Sequence, residues 1–362
     1  MREKLLPNEL GRRCFLWYAA GALVTGCRSA SVSDEGAYVR ATAEARRQIA
    51  AGLCTCVVFT RAGDRRIGAV GLRRFSPVET AISTDTRFDI ASLTKPFVAT
   101  ACACLVADGR LDPDRPFVDY LPEHAAGKMC SVTVRDLAMH VSGLGYRPID
   151  SRDPAEFRRQ VMSFCPSGER GTFCYSCNNY LLLGMIAERV SSLRLDQLVG
   201  RRVLDPLGLT ETQWGPLADD GRFAQFAWRD NGPGRPCDRI AEAAPFPVGN
   251  AGLFSTAADL RRFAEAVLER RILPKAAYDL MLEMRTMRDG VRRTFAFDAR
   301  VGRRPSGLGD RAVFHTGSTG QTLAIDPGSG FAAVVLTARK GDHDAAIVAR
   351  MRLVSVLGGQ DG

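Results

Sequence analysis

The chain has little lysine and little histidine for its length. Only five of its 362 residues are lysine and four are histidine, although the formal charge is +9, so arginine supplies most of the positive charge. The arginines are spread along the whole chain, and no basic block is interleaved with aromatic residues. This pattern argues against a nucleic-acid-binding protein. We expect instead a solvated, arginine-rich surface that would be attracted to anionic polymers of a cell envelope.

The sequence also lacks an apolar run long enough to cross a bilayer, an internal repeat and a low-complexity segment. The apolar stretch at residues 16–25 is too short to span as a helix. It follows a pair of arginines, Arg12 and Arg13, and it ends in Val-Thr-Gly before Cys27. A charged region, a short apolar core and small residues are typical of a secretory signal.

The paired arginines resemble the twin-arginine export signal, and Val-Thr-Gly-Cys resembles a bacterial lipobox. We therefore predict a signal peptide over residues 1–26 and a polar tether over residues 27–36. The mature protein would be a bacterial envelope lipoprotein that faces the periplasm and is held to the membrane through lipidated Cys27. The alternative is an uncleaved anchor or a buried N-terminal helix.

The cysteines do not form a metal-binding or disulfide pattern. Eleven are present, and none of their spacings is accompanied by histidines at metal-ligand positions. We therefore predict no metal and no cofactor. Most of the cysteines are interpreted as small buried apolar residues. Cys165 with Cys174 or Cys177 is the only candidate disulfide in an oxidising compartment.

Strand patterns occur at both ends of the chain, and helix patterns fill the middle. The strand-like segments are 54–60, 67–70, 311–315, 322–326 and 331–337. The helix-like segments are 38–51, 97–107, 134–140, 154–164, 179–190, 195–203, 257–268, 275–284 and 344–357. Strands from both ends could join one antiparallel sheet. We predict an α+β fold over residues 37–357, with an α/β part at about 37–92 and 290–357 and an inserted, mostly helical part at about 93–289.

One stretch combines a possible nucleophile with a possible base. Ser92 is followed three residues later by Lys95, and an apolar helix begins directly afterwards. Residues i and i+3 share a helix face, and burial could hold the lysine neutral so that it accepts the serine proton. Pro96 opposes this geometry, because sequence rules start the helix at the proline. The alternative is that Ser92 is a helix cap and Lys95 a solvated charge.

Two further stretches complete a known set of motifs. Tyr-Ser-Cys at 175–177 precedes an apolar helix, and His-Thr-Gly at 315–317 ends a strand pattern. Together with Ser92-x-x-Lys95, they resemble the Ser-x-x-Lys, Tyr-x-Asn and Lys/His-Thr-Gly motifs of the serine β-lactamase and penicillin-binding protein superfamily. Segments 137–144 and 250–260 are similar to two lesser signatures. The closer resemblance is to the class C-like branch, which includes esterases, D-alanyl carboxypeptidases and D-aminopeptidases.

The resemblance implies a β-lactamase/transpeptidase-like fold and a mechanism. Ser92 would attack an acyl carbon and form an acyl-enzyme. Lys95 and Tyr175 would move the proton, because an ammonium group beside a tyrosine favours the phenolate. The backbone N–H groups of Ser92 and Ser318 would form the oxyanion hole. The substrate would lie along an edge strand that contains His315, Thr316 and Gly317.

Several of these residues have a structural alternative. Tyr175 could be a packing residue at a helix start, and His315 could be a structural histidine of the strand. We interpret His140 as structural, holding a turn at 142–143. Gly252 and Gly317 are interpreted as glycines that the backbone requires near the cleft.

Two departures from the motifs bear on the substrate. Cys177 occupies the place of the asparagine that orients an acylamino group, and a thiol is a poor replacement for an amide. His315 stands where antibiotic-handling members have lysine, which removes a fixed positive charge. The sequence therefore favours an envelope serine hydrolase that acts on an ester or amide of a small-molecule, peptide or cell-wall substrate. The alternatives are a D-alanyl-D-alanine carboxypeptidase or β-lactamase, and a catalytically inactive cell-wall-binding homologue.

Overall fold

The computed structural model describes residues 32–124, 129–227, 229 and 231–360. The predicted signal peptide, lipobox and Cys27 lie outside the described residues. The α-helices are α1 (Val32–Ala50), α2 (Thr94–Ala107), α3 (Val134–Ala138), α4 (Pro154–Met162), α5 (Cys177–Ser191), α6 (Leu195–Val199), α7 (Asp205–Leu207), α8 (Arg239–Ala243), α9 (Ala257–Glu269), α10 (Lys275–Leu282) and α11 (His343–Leu357). The strands are β1 (Cys54–Arg61), β2 (Gly68–Arg74), β3 (Thr80–Ala81), β4 (Phe88–Asp89), β5 (Gln213–Trp214), β6 (Leu253–Ser255), β7 (Arg285–Thr286), β8 (Arg292–Arg293), β9 (Val313–Gly317), β10 (Gln321–Asp326) and β11 (Phe331–Arg339).

The main sheet joins the two ends of the chain, as predicted. Its strand order is β3-β2-β1-β11-β10-β9, and neighbouring strands are antiparallel. The junction between the ends is the pairing of β1 with β11, in which Val58 lies opposite Leu336. Strand β9, which carries the His-Thr-Gly motif, is an edge strand, so one side of it is open toward the site described below.

Both faces of the main sheet are covered. Side chains alternate between the faces of a strand, so Val57 and Phe59 of β1 pack with α1 and α11, whereas Val58 belongs to the larger core on the opposite face. Helix α9 covers that opposite face. Strand β11 is buried on both faces, which explains why it reads as a continuous apolar run.

Helix α2 lies in the centre of the larger core. It is buried from Thr94 to Leu105 and packs against α5 and α10. The core does not divide at residues 93 and 289, where we separated the two parts of the domain. One continuous cluster of buried side chains includes Val58 of β1, Val334 of β11 and Leu182 of α5.

Two features differ from the sequence prediction. Strand β5 lies in the region 112–250, where no strand was predicted, and it joins β4 and β6 in a small sheet with the order β4-β6-β5. Strands of two or three residues have too few alternations to be detected. Helix α1 begins at Val32, inside the segment 27–36 that we expected to be a tether. Glu35 lies in its first turn, where a negative charge interacts favourably with the helix dipole.

The described cysteines are all free thiols. Cys165 and Cys174 are exposed and unbonded, so the candidate disulfide is not formed. The prediction that most cysteines are buried apolar residues is confirmed for the described part by Cys54, Cys56, Cys102, Cys104 and Cys237. Within the described ranges, no helix combines the length and the apolar character that crossing a bilayer would require.

Candidate active site

Ser92 lies in a short 3-10 turn, Ala91–Leu93, that connects β4 directly to α2. Because α2 begins at Thr94, Lys95 and Pro96 both lie in its first turn. The first N–H groups of a helix have no helical partner, so proline is tolerated there. Lys95 therefore shares a face with Ser92, and its Nζ is 3.0 Å from Ser92 Oγ. The predicted i,i+3 geometry is present despite the proline.

A buried carboxylate holds this turn. Asp89 Oδ1 accepts a hydrogen bond from the Ala91 N–H at 2.8 Å, and Oδ2 accepts one from the Cys237 N–H at 2.6 Å. Ala91 has φ +45°, a conformation that few residues other than glycine adopt, and the bond from Asp89 stabilises it. Burial raises the pKa of Asp89 to about 6, although the two N–H donors oppose this shift. Sequence reasoning missed Asp89. Its only indication in the sequence is that it is a single acidic residue within the apolar stretch before Ser92.

Lys95 is fully buried beneath Ser92. Its Nζ donates to the Asn250 carbonyl oxygen at 2.8 Å and lies 3.7 Å from Cys177 Sγ. Burial alone would lower the pKa of Lys95, but its interactions with Cys177, Tyr175 and Asp238 outweigh burial and raise it. The hypothesis that burial holds this lysine neutral is therefore wrong, whereas the expectation of an ammonium group beside Tyr175 agrees with the raised pKa.

Tyr175 directly precedes Ser176, the residue that caps α5. The segment is fixed on both sides of the tyrosine by His140, whose carbonyl oxygen accepts from the Cys174 N–H at 2.9 Å and whose Nδ1 accepts from the Ser176 N–H at 3.2 Å. The Tyr175 ring packs on the His140 ring, with centroids 4.5 Å apart, and its centroid is 5.1 Å from Lys95 Nζ. The tyrosine is thereby directed toward the Ser92–Lys95 pair.

His140 is structural, as predicted, but it holds the Tyr175 segment and not the turn at 142–143. The Ser142 hydroxyl fixes that turn instead, by donating to Asn179 Oδ1 at 2.5 Å and accepting from the Leu144 N–H at 3.1 Å. Burial and the nearby Arg293 and Lys95 lower the pKa of His140 well below its usual value, so the ring is neutral. A neutral ring that accepts at Nδ1 carries its proton on Nε2.

The edge strand β9 approaches the nucleophile turn at a glycine. A Cβ atom at Gly317 would lie 2.6 Å from the Ile90 carbonyl oxygen and 2.5 Å from Gln321 Oε1. Any other residue would push β9 away from Ser92. Gly252 has φ +106° and a tight contact with Trp214, so the interpretation of both glycines as backbone requirements is confirmed.

Two hydrogen bonds fix the loop after β9. The Thr319 hydroxyl donates to the Asp89 carbonyl oxygen at 2.8 Å, and Arg339 Nε donates to the Ser318 carbonyl oxygen at 2.8 Å. These bonds hold Ser318 on the same cavity as Ser92. We did not predict a role for Thr319 or Arg339 from the sequence. Each donates to a backbone carbonyl oxygen, and every residue type has one, so no sequence pattern indicates the contact.

His315 is 4% exposed, and its Nδ1 is 3.1 Å from the Thr316 carbonyl oxygen. Burial, together with the nearby charges of Lys95 and Arg293, lowers the pKa of His315 to about 3. The ring is therefore neutral over the whole ordinary pH range. The third motif contributes no positive charge from its histidine.

A cavity of about 310 Å³ brings together most of the predicted residues, namely Ser92, Tyr175, His315, Thr316 and Ser318. Gly317 and Cys177 do not line it. Cys177 reaches the site through its contact with Lys95, and the neighbouring Asn178 points away, donating to the Gly145 carbonyl oxygen at 3.2 Å. Within the described part of the chain, no three histidine, cysteine or acidic side chains converge as a metal site.

The same cavity is lined by three arginines that sequence reasoning missed. Asp298 is 3.6 Å from Arg293 Nη1 and 2.5 Å from Arg300 Nη2. Arg303 lines the cavity and forms no ion pair with any described residue. Arginines occur throughout this chain, so no pattern distinguished these three in the sequence.

This arrangement contains side chains that acyl transfer uses, because Ser92 and Tyr175 line one cavity and Lys95 lies directly beneath Ser92. A Ser–Lys pair at the start of a buried helix, beside the edge strand of an antiparallel sheet, defines a class of serine hydrolases. The chain belongs to the Beta-lactamase family, whose model matches residues 44–357. The members of this family are serine hydrolases, and the structure has the β-lactamase/transpeptidase-like fold that the sequence predicted.

The chain is similar to curated relatives with different named activities. It is 30% identical over 228 residues to Esterase EstB of Burkholderia gladioli, covering 51% of this chain and 57% of EstB. It is 28% identical over 310 residues to a putative D-alanyl-D-alanine carboxypeptidase of Escherichia coli K12, covering 70% of this chain and 69% of that protein. The chain spans about half the length of several curated relatives that it matches, including EstB.

Among solved structures, EstCE1, a hydrolase with promiscuous acyltransferase activity, superimposes with a TM-score of 0.73 at 21% identity, covering 90% of this chain and 100% of EstCE1. At this identity the likeness establishes the fold alone.

Proposed function

We propose that this protein is a serine hydrolase that forms an acyl-enzyme on Ser92 and then hydrolyses it, cleaving an ester or an amide as an esterase or peptidase does. The observation that carries the proposal is the 3.0 Å contact between Ser92 Oγ and Lys95 Nζ, at the base of a cavity that Tyr175 also lines. The proposal includes export to the cell envelope and lipidation of Cys27, which rest on the sequence alone.

Tyr175 is the proposed acceptor of the serine proton. The Lys95 ammonium donates to Asn250 and Ser92, so it has no lone pair to accept a proton. His315 is a weak base, because its pKa is about 3. Lys95 then acts by stabilising the negative charge of Tyr175, and Tyr175 returns the proton to the leaving group.

The backbone N–H groups of Ser92 and Ser318 are the proposed oxyanion donors. They belong to segments that are tied together by the Thr319–Asp89 hydrogen bond, so their separation is fixed before substrate binds. Preorganised donors of this kind typically contribute ~10²–10³ in rate each.

The environment of Lys95 favours an ester or peptide bond over a β-lactam. Cys177 occupies the motif position of an amide that orients an acylamino group, and its thiol is next to Lys95 and off the cavity wall. The acylamino group of a penicillin would therefore lose a strong hydrogen-bond partner.

A second candidate, a D-alanyl-D-alanine carboxypeptidase or a β-lactamase, is favoured by the arginines of the cavity. Arg293, Arg300 and Arg303 line the cavity with one carboxylate, Asp298, which pairs with the first two and leaves excess positive charge for a substrate carboxylate. An inactive cell-wall binder is disfavoured, because the Ser92–Lys95 pair is in contact.

The test combines substrates of all three classes with one variant. Purified protein would be given p-nitrophenyl acetate, a chromogenic cephalosporin and a peptide ending in D-Ala-D-Ala. Mass spectrometry should detect an acetyl adduct on the wild type and on the exposed control Ser131→Ala, and none on Ser92→Ala. Unchanged ester turnover in Ser92→Ala would overturn the mechanism.

The envelope location has its own test. Cell fractionation should place the full-length protein with the membrane and Cys27→Ala in the soluble fraction. Membrane association that survives this substitution would argue against the lipobox.

A further inference from the structure

A second cavity continues from the catalytic one along α11. Its volume is about 650 Å³, and it shares Arg303, Ile347 and Met351 with the cavity that contains Ser92. It extends to Ser355 and Gln360 at the end of the helix. Residues 347, 351 and 355 are spaced by four and so follow one helix face. The first and the last of these positions are eight residues apart, which corresponds to about 12 Å of helix.

The two cavities differ in chemistry. The catalytic cavity is lined by three arginines and one carboxylate, Asp298. The second cavity, which we call the α11 groove, has an apolar floor of Ile347, Val348 and Met351, with the charged side chains of Arg304, Asp344 and Arg352 around it. Val348, which also lines the groove, is 68% exposed, so a large aliphatic side chain is left uncovered there.

The proposed role of Tyr175 relates the groove to the leaving group. Tyr175 lines the catalytic cavity and, in the proposed function, returns a proton to the leaving group, whereas Cys177 is outside that cavity. A leaving group beside Tyr175 would meet the arginines first. Any extension of it beyond Arg303 would enter the α11 groove.

The orientation of α1 relates the start of the described chain to the groove. Gln48 Nε2 bonds to the Ala349 carbonyl oxygen at 2.8 Å, and Glu44 lies 3.5 Å from Arg352, so α1 runs antiparallel to α11. The start of α1 therefore lies toward the Ser355 end of the groove. Cys27, the predicted lipid attachment site, is only five residues before that start at Val32.

We propose that the α11 groove binds the linear alkyl chain of an amphiphilic leaving group, which carries a carboxylate or phosphate close to the scissile bond. The cationic cavity holds the anionic group, and the apolar floor holds the chain. This inference rests on the proposed function and names the substrate class of the same site.

The test uses two thioesters that differ only in the leaving group, 2-(acetylthio)propanoate and 2-(acetylthio)dodecanoate. Ser92 Oγ bonds to the acetyl carbon, the C–S bond breaks, and the sulfur takes the proton from Tyr175; water then releases acetate. A thiol reagent reports the free thiol. We expect kcat/KM for the dodecanoate, below its micelle concentration, to exceed that for the propanoate at least tenfold.

Two exposed valines on helices provide the matched variants. Val348→Asp should reduce the ratio of the two kcat/KM values to about one, because a carboxylate would lie on the floor beside the chain. Val39→Asp, at a 65% exposed position of α1, should keep the wild-type ratio. A ratio near one in the wild type, or a ratio that Val348→Asp leaves unchanged, would overturn the inference.

Binding without turnover separates this inference from the proposed function. Ser92→Ala should bind dodecyl phosphate at least tenfold more tightly than ethyl phosphate in calorimetry, and the added Val348→Asp change should abolish the difference. Tighter binding of the long chain together with no thioester turnover in the wild type would refute the proposed function alone. Turnover without a chain-length effect in either assay would refute the groove alone.

Discussion

Asp89→Asn tests how the nucleophile turn is held, and its effect on stability can be worked out from the structure. The side chain is fully buried, and its pKa is raised from 3.8 to about 6 by burial. A shift of about two units corresponds to about 3 kcal/mol at 1.36 kcal/mol per unit. The ionised carboxylate therefore destabilises the folded state by an amount of this order.

The sign follows from proton uptake. Between pH 3.8 and about 6, the folded state holds the Asp89 proton more tightly than the unfolded state does, so stability falls as pH rises through this window. Above pH 6 the full destabilisation is present. The asparagine of the variant would not titrate, but its amide offers one acceptor where the two N–H groups of Ala91 and Cys237 need two. That loss is about 1–3 kcal/mol at every pH.

Urea unfolding of both proteins at pH 4 and pH 7.5 separates the two effects. Relative to Asp89→Asn, the wild type should lose about 3 kcal/mol of unfolding free energy between these pH values. Asp150→Asn, at an exposed position, controls for the substitution itself. Parallel pH profiles for wild type and Asp89→Asn would refute the reasoning, because they would mean that the carboxylate has the same pKa folded and unfolded.

Three further substitutions test the site. Lys95→Met removes the cation that stabilises Tyr175, so kcat/KM for p-nitrophenyl acetate should fall by about 10²–10⁴, and a native far-UV CD spectrum would separate this loss from unfolding. Gly317→Ala places a methyl group against Ile90 and should lower the unfolding free energy by about 1–3 kcal/mol in urea, together with ester turnover. Cys177→Asn restores the amide of the motif and should raise cephalosporin turnover relative to ester turnover, measured on the same preparation; an unchanged ratio would contradict the role given to the thiol.

The sequence predicted the parts of the site that residue types and spacing encode. The i,i+3 spacing indicated that Lys95 could share a helix face with Ser92, and the resemblance implied that residues 315–317 lie on an edge strand. The structure also shows the contacts of backbone groups, such as the Asn250 carbonyl oxygen, which accepts a hydrogen bond from the Lys95 ammonium. A carbonyl oxygen has the same chemistry in every residue, so no sequence pattern could reveal this contact. Burial alone therefore led to the expectation of a neutral Lys95, whereas the resemblance, which placed Tyr175 beside it, implied the ammonium form.

The same distinction applies to substrate charge. The replacement of a motif lysine by His315 predicted a site with less affinity for a carboxylate, and the histidine is indeed neutral, with a pKa of about 3. The cavity nevertheless contains Arg293, Arg300 and Arg303, which come from β8 and the loop after it and face only Asp298. The positive charge of the cavity therefore comes from arginines outside the motif. An argument from the missing lysine alone would leave the site without positive charge, whereas three arginines line the assembled cavity.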